Sequence, residues 1–237
     1  MGKNLIQQAR GKGSPRYRAP SFRYKGESKY ARFEEKNLMG KIVDLIHSQG
    51  HSAPLAQIEY ENGSKVLIQA PEGIRVGDKV EMGKDVGVKN GNVMPLENIP
   101  EGITIYNIEA SPGDGGKFVR SSGGSAKIIT KMQNRVIVEM PSAKRKVFLP
   151  GCRATIGVIA GSGRKEKPFL KAGKRHYAMK AKNKLWPQVS GTSMNAVDHP
   201  FGGSSSAVKG GATQSSRNAP AGAKVGKIAP KRTGKKR

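Results

Sequence analysis

The sequence predicts a mainly β protein: an OB-fold barrel followed by an SH3-like barrel, with long irregular basic N- and C-terminal extensions. Three observations carry this reading. Short alternating apolar runs separated by glycine turns fill residues 38–96 and 103–160, with no long helical period. The cations lie mostly outside the first of these stretches. Residues 1–36 hold 10 Lys or Arg and 3 acids, residues 37–110 hold 6 and 10, and residues 111–237 hold 27 and 4. Finally, a formal charge of +26, a mean hydropathy of −0.56, 31 Gly and 14 Pro confine any packed core to part of the 237 residues. Self-repulsion at that charge disfavours compaction unless a polyanion neutralises it.

Residues 1–36 read as an extended basic arm, because Gly11, Gly13, Pro15 and Pro20 break any helix. Tyr17, Phe22, Tyr24 and Tyr30 alternate with Arg10, Arg16, Arg18, Arg23 and Lys25. Cations of this kind neutralise phosphates while aromatic faces stack on unpaired bases. The same rings serve equally well as core side chains, and the sequence leaves both roles open.

The first barrel reads as strands at 40–48, 53–60, 65–69 and 79–82. Asn62-Gly63 is a hairpin signal, Val76-Gly77-Asp78 a tight turn entering a strand, and Asn90-Gly91 a further turn. Residues 95–102 read as a linker punctuated by Pro95 and Pro100. The second barrel reads as strands at 103–109, 126–131, 135–139, 146–149 and 155–160, with Gln133-Asn134 as a short turn. The glycine-rich loop at 111–125 is too long for a hairpin, and loops of that length are usually functional or disordered.

Residues 164–185 hold nine cations and one acid, and Pro168 opens a short basic helix through about Lys182. From Trp186 onward Pro, Gly, Ser and Asn dominate, and after Asp198 nine cations follow with no acid. Such a segment orders on a partner. The chain therefore divides into a basic RNA-binding arm at 1–36, an OB-fold domain at 37–96, an SH3-like barrel with a short basic helix at 97–185, and an irregular basic extension at 186–237, which the resemblance given below implies to be RNA-penetrating.

The run from Lys171 through His199-Pro200-Phe201-Gly202-Gly203 closely resembles the signature of the large-subunit ribosomal protein L two family. The opening Met1–Pro15 looks like the archaeal and eukaryotic branch, and the glycine-rich loop and Leu149–Ala154 match as well. The resemblance covers essentially the whole chain. It implies the same two barrels and RNA-penetrating tails. It also implies primary binding to large-subunit ribosomal RNA near the peptidyl-transferase region, with help in subunit association and tRNA placement. Bacterial members carry a second His at the place of Phe201, so no inference that needs two histidines transfers.

Catalytic readings are weaker. Asp198-His199 matches the family histidine once proposed to assist peptide-bond formation, but a general base needs a positioned partner, and adjacent side chains usually point apart. His199 is better read as an RNA contact, with Gly202 and Gly203 allowing close backbone approach. Gly115-Gly116-Lys117 lacks the phosphate-loop spacing, since Ser111 and Phe118 stand where Gly and Ser or Thr are needed. Cys152 reads as a small core residue, and His47, His51 and His176 lack ligand spacing. No cofactor is expected beyond magnesium held by RNA phosphates.

The expected ribosomal-RNA contacts are Arg10, Arg16, Arg18, Arg23, Lys117, Arg120, Lys171, Lys174, Arg175, His199, Gly202, Gly203 and Arg217. Expected partners are large-subunit ribosomal RNA, neighbouring ribosomal proteins and, indirectly, tRNA and the small subunit, with no membrane. The expected place is the large subunit in the cytoplasm. The rivals are a free RNA chaperone or nucleic-acid-packaging protein, and an enzyme acting on RNA.

Overall fold

The computed structural model describes residues 2–32, 37–203 and 213–231. Its Cα packing resolves two compact units, one of residues 21–170 and one of residues 1–20 with 171–237. The end of the expected arm at 33–36, and the tail stretches at 204–212 and 232–237 with five of the last nine cations, lie outside the described residues.

The larger unit is the β body. Strands β1 (Leu38–Ile46), β2 (Leu55–Tyr60), β3 (Lys65–Gln69), β4 (Lys79–Met82) and β5 (Val93–Pro95) form the OB-type half. Strands β6 (Thr104–Tyr106), β7 (Ala126–Met132), β8 (Arg135–Glu139), β9 (Arg145–Phe148) and β10 (Arg153–Ile156) form the SH3-like half. One ten-stranded sheet runs through both, in the order β3-β2-β1-β4-β5-β10-β6-β7-β8-β9. The halves are therefore joined by hydrogen bonds at the antiparallel β5–β10 seam, where Arg153 faces Pro95 and Thr155 faces Val93.

Turn chemistry explains the hairpins. Between β2 and β3 Gly63 takes φ +77°, and Asn62 Oδ1 accepts from the Ser64 N–H at 3.0 Å, as an Asn-Gly turn requires. Asp78 Oδ2 accepts from the Arg75 N–H at 2.7 Å and ties down the turn into β4. Alternation sets the burial. On β1 the residues Leu38, Gly40 and Ile42 point inward while Met39 and Lys41 face out.

Each half has its own core. Ile42, Ile58, Ile68, Val80 and Met82 fill the first, and Ile105, Ile108, Ile128, Val138 and Phe148 fill the second. Residues 95–102, read above as a linker, contribute Leu96 and Ile99 to the second core at 0% exposure, and Pro95 ends β5. The prolines there punctuate a packed segment. The expected strand at 103–109 stops at Tyr106, because Asn107 takes φ +49°, outside the β region. Cys152 is buried in the second core.

A charge pair joins these parts. Arg153, on β10, is 4% exposed and Glu109 0%. Arg153 Nη2 and Nε donate to Glu109 Oε1 at 2.6 and 3.1 Å, and the Arg153 N–H donates to Oε2 at 2.9 Å. The same carboxylate accepts from the Gly113 and Gly115 N–H groups of the glycine-rich loop, at 3.2 and 3.0 Å. Arg153 Nη1 donates to the Ala31 carbonyl at 2.8 Å, and its guanidinium lies 5.2 Å from the Tyr30 ring centre. The Tyr30 hydroxyl donates to Asn107 O at 2.7 Å and lies 2.6 Å from Thr155 Oγ1. Tyr30 is thus a core residue in the first half, which settles its role among the arm aromatics.

The smaller unit is nearly coreless. Leu5 is the only buried hydrophobic residue among its described residues. The expected extended arm holds one short helix, α1 (Ile6–Gly11), which ends at the first of its glycines, with Gly13 at φ +68° just beyond. Gln8 Oε1 accepts from the Leu5 N–H at 2.8 Å and caps it. The basic helix is α2 (Ala172–Ala181), shorter than the expected span. A two-residue parallel pair, β11 (Gln214–Ser215) with β12 (Lys227–Ile228), interrupts the otherwise irregular tail.

Two outcomes follow for stability. Arg153→Met strands a buried carboxylate and lowers stability by about 3–5 kcal/mol. The double variant Arg153→Met with Glu109→Gln is more stable than Arg153→Met alone, because the amide leaves no unpaired buried charge, although its single oxygen keeps only one of the two loop N–H groups; urea unfolding midpoints check both. Burial also raises the phenols of Tyr30, Tyr60 (to about 12) and Tyr106 above their ordinary value. The unfolded chain releases these protons first, so this stabilisation is complete below pH 10 and falls progressively above it. A thermal midpoint that holds level from pH 10 to 12 would contradict this.

Candidate nucleic-acid interface

The two units carry charge differently. Residues 1–20 and 171–237 hold 20 Lys or Arg and one acid, Asp198, whereas residues 21–170 hold 23 and 16. In the smaller unit Lys3 Nζ lies 3.8 Å from Asp198 Oδ1 on an exposed surface, a weak pair. With one buried apolar side chain among its described residues and a net charge of +19, this unit shows little burial to set against its own repulsion.

Its backbone is nevertheless specifically placed. The Lys3 N–H donates to Val197 O at 2.8 Å, and Arg10 Nη2 to Asn183 O at 3.2 Å. Arg18 Nε donates to Gly13 O at 2.6 Å, Arg16 is exposed, and Arg217 stands exposed after β11. On α2 no residue is buried, Lys171 is the extended N-cap residue, and the first turn has no acid. Lys171, Lys174 and Arg175 crowd the positive end of the helix dipole, which is unfavourable until an anion approaches. Arg175 lies 5.7 Å from the Trp186 ring centre, and the His176 ring meets both Tyr177 and Trp186 edge-on.

His199 is held within its own loop. Its Nδ1 accepts from the Phe201 N–H at 3.0 Å and its ring tilts against Phe201 at 5.1 Å. Asp198 faces Lys3, so no carboxylate orients the imidazole in the way a general base needs. The Gly202 N–H donates to His199 O, and a Cβ at Gly202 would stand 2.3 Å from Asn195 O. The Gly203 N–H donates to Met194 O at 3.2 Å. Gly202 therefore closes this loop, and Gly203 is exposed beside it.

In the larger unit the expected contacts separate. Arg23 is exposed beside Phe22, which is 83% exposed, and Lys117 is exposed on the glycine-rich loop. Arg120 is half-buried and turned inward. It donates to Gly116 O at 3.1 Å and to Ser28 O at 2.7 Å. In the orientation that satisfies its neighbours, the Gln69 amide oxygen accepts from Arg120 as well, at 3.2 Å.

Sequence reading missed a second set of cations. Lys127, Arg135, Lys144 and Arg145 are exposed on the β7–β8–β9 sheet, where Glu139 lies opposite both Lys127 and Arg145. Lys146 Nζ sits 3.6 Å from the Phe118 ring centre. Only the pairing register brings Lys127, Arg135 and Arg145 onto one surface, with Lys144 exposed in the turn before β9. Among the described residues no three His, Cys, Asp or Glu side chains cluster as metal ligands, and no helix is long and apolar enough to cross a membrane.

Comparison with known proteins gives a consistent answer. Residues 4–82 match the family model described as Ribosomal Proteins L2, RNA binding N-terminal domain, and residues 89–224 match Ribosomal Proteins L2, C-terminal domain. The chain is 51% identical over 240 residues to the large ribosomal subunit protein uL2 of Methanococcus aeolicus, covering all of both chains. It is 52% identical to that of Methanothermobacter thermautotrophicus over 241 residues, again covering all of both. With that of Methanocaldococcus jannaschii the identity is 53% over 239 residues and 99% of each.

Geometry separates two kinds of cation by experiment. Replacing an exposed cation such as Lys174 by Gln lowers the slope of log affinity for RNA against log salt by about one and leaves folding unchanged. Arg120→Gln does the reverse, lowering the urea midpoint with little change of slope. Paired filter-binding and unfolding curves read both.

Proposed function

Because the chain belongs to the ribosomal protein L2 family of large-subunit structural proteins, we propose that it is a primary ribosomal-RNA-binding protein of that subunit. Its place in this reading is near the peptidyl-transferase region, in the cytoplasmic ribosome. There it supports subunit association and tRNA placement, beside neighbouring ribosomal proteins. One observation carries the reading: a unit with 20 cations, one acid and a single buried hydrophobic side chain among its described residues. Folded RNA supplies the counter-charge that such a unit lacks, and each cation that displaces a condensed counterion adds salt-sensitive affinity.

The role is structural. A narrow RNA major groove excludes a barrel but admits thin glycine-rich chain, and Lys and Arg there stand close to phosphate on several sides. The arm ahead of its docked residues Ser28, Tyr30 and Ala31, and the extension at 186–237, are the segments proposed to enter RNA. Any magnesium nearby is held by RNA phosphates. His199 contributes a contact through its ring edge, since its Nδ1 is already engaged by Phe201.

Stoichiometric recovery of the tagged chain in sedimenting large subunits is the expected result, with loss as salt rises during assembly. Recovery on DNA or on bulk RNA instead would favour a free chaperone or packaging protein. His199→Ala leaves peptide synthesis by assembled ribosomes within about twofold, whereas a general base contributes roughly a hundredfold or more.

A further inference from the structure

The larger unit has a cleft of about 480 Å³ whose walls include Tyr24, Glu27, Ser28, Gly50, His51 and Arg120. None of these was singled out together by sequence, because residues 24–28, 50–51 and 120 meet only in the fold. The volume falls in the range of small-ligand sites. We propose that this cleft receives one unpaired nucleobase of the bound RNA, stacked on Tyr24. The inference rests on the RNA-binding reading above and names the part of RNA that this site takes.

The cleft's chemistry suits a flat, neutral, polar ligand better than a phosphate. Arg120, the cation lining it, already donates to Gly116 O and Ser28 O and faces the Gln69 amide oxygen. Glu27 adds a carboxylate, 2.9 Å from Lys29 Nζ, which repels a phosphate but accepts from the N–H edge of a base. Burial, with the nearby Arg120 charge, lowers the His51 pKa and so favours the neutral ring, which hydrogen-bonds without attracting anions. Ser48 Oγ lies 3.1 Å from His51 Nδ1 and steadies that ring.

Gly50 makes the aromatic wall possible. A Cβ there would lie 2.8 Å from the Tyr24 ring, so only glycine lets the backbone support the ring at this distance. The result is a backed aromatic plate beside hydrogen-bonding groups, the arrangement by which proteins hold splayed-out bases. Phe22, on the same turn of the arm, is a second exposed ring for a neighbouring base.

The test uses the isotope-labelled full chain and three probes: guanosine, guanosine monophosphate and inorganic phosphate. Both guanosine compounds should produce saturable shifts of the Tyr24 ring and His51 imidazole signals, while phosphate at equal concentration leaves them in place. Tyr24→Phe keeps the response, and Tyr24→Ala weakens it roughly 5- to 100-fold, the range of one base–aromatic stack. Circular dichroism confirms that both variants fold. Equal shifts from phosphate, or none from guanosine, overturn the cleft assignment even where the wild-type chain still sediments with large-subunit RNA. Failure of the wild-type chain to sediment with that RNA overturns the broader reading instead.

Discussion

The Glu109 carboxylate and the Arg153 guanidinium meet where four segments of chain converge, out of water on every side. Glu109 lies just beyond β6 and Arg153 begins β10, 44 residues later in the sequence. Desolvating both charges is costly, and their attraction offsets the cost only when geometry is good and the remaining valences are filled. Here the carboxylate takes two guanidinium donors and three backbone N–H groups, and the guanidinium adds the Ala31 carbonyl. The pair sets the conformation of the glycine-rich loop, docks the end of the arm and braces the seam at which the two halves share a sheet.

That constraint gives the larger unit a role the smaller one cannot take. Two apolar cores and a buried charge network make residues 21–170 a body that folds on its own terms. The described residues of 1–20 and 171–237 have almost no apolar burial, and the unit carries a large excess of cations, a composition that a polyanion would neutralise. Apolar burial and excess charge are thus divided between units. The division also explains why Arg120, a cation in a glycine-rich loop, serves the fold: it sits in the unit whose polar groups must be satisfied internally.

Much of the β body was legible because its signals are local. Asn62-Gly63 marks its hairpin through the φ that glycine permits, and β3 and β8 lie at the residues that alternation indicated. The misreadings had local causes as well. Pro95 and Pro100 look like linker punctuation, yet Leu96 and Ile99 between them are fully buried, since proline forbids a ladder donor and not burial. The helix α1 escaped notice because its six residues end on Gly11, one of the glycines that mark the arm as broken. For the interface, the tail cations were evident from the lack of acids around them. Lys127, Arg135 and Arg145 were not, because only strand pairing places them on one surface.

By itself the sequence determined the mainly β class, the turn positions, the polycationic ends and the kind of partner those ends require. Each follows from properties of neighbouring residues: backbone freedom, alternation and net charge. Tertiary structure decided that the two halves share one sheet, that Tyr30 is core, that Glu109 and Arg153 pair, and that Tyr24, His51 and Arg120 line one cleft. Those outcomes depend on which distant segments exclude water together, and burial is a property of the folded surface that no stretch of chain carries alone.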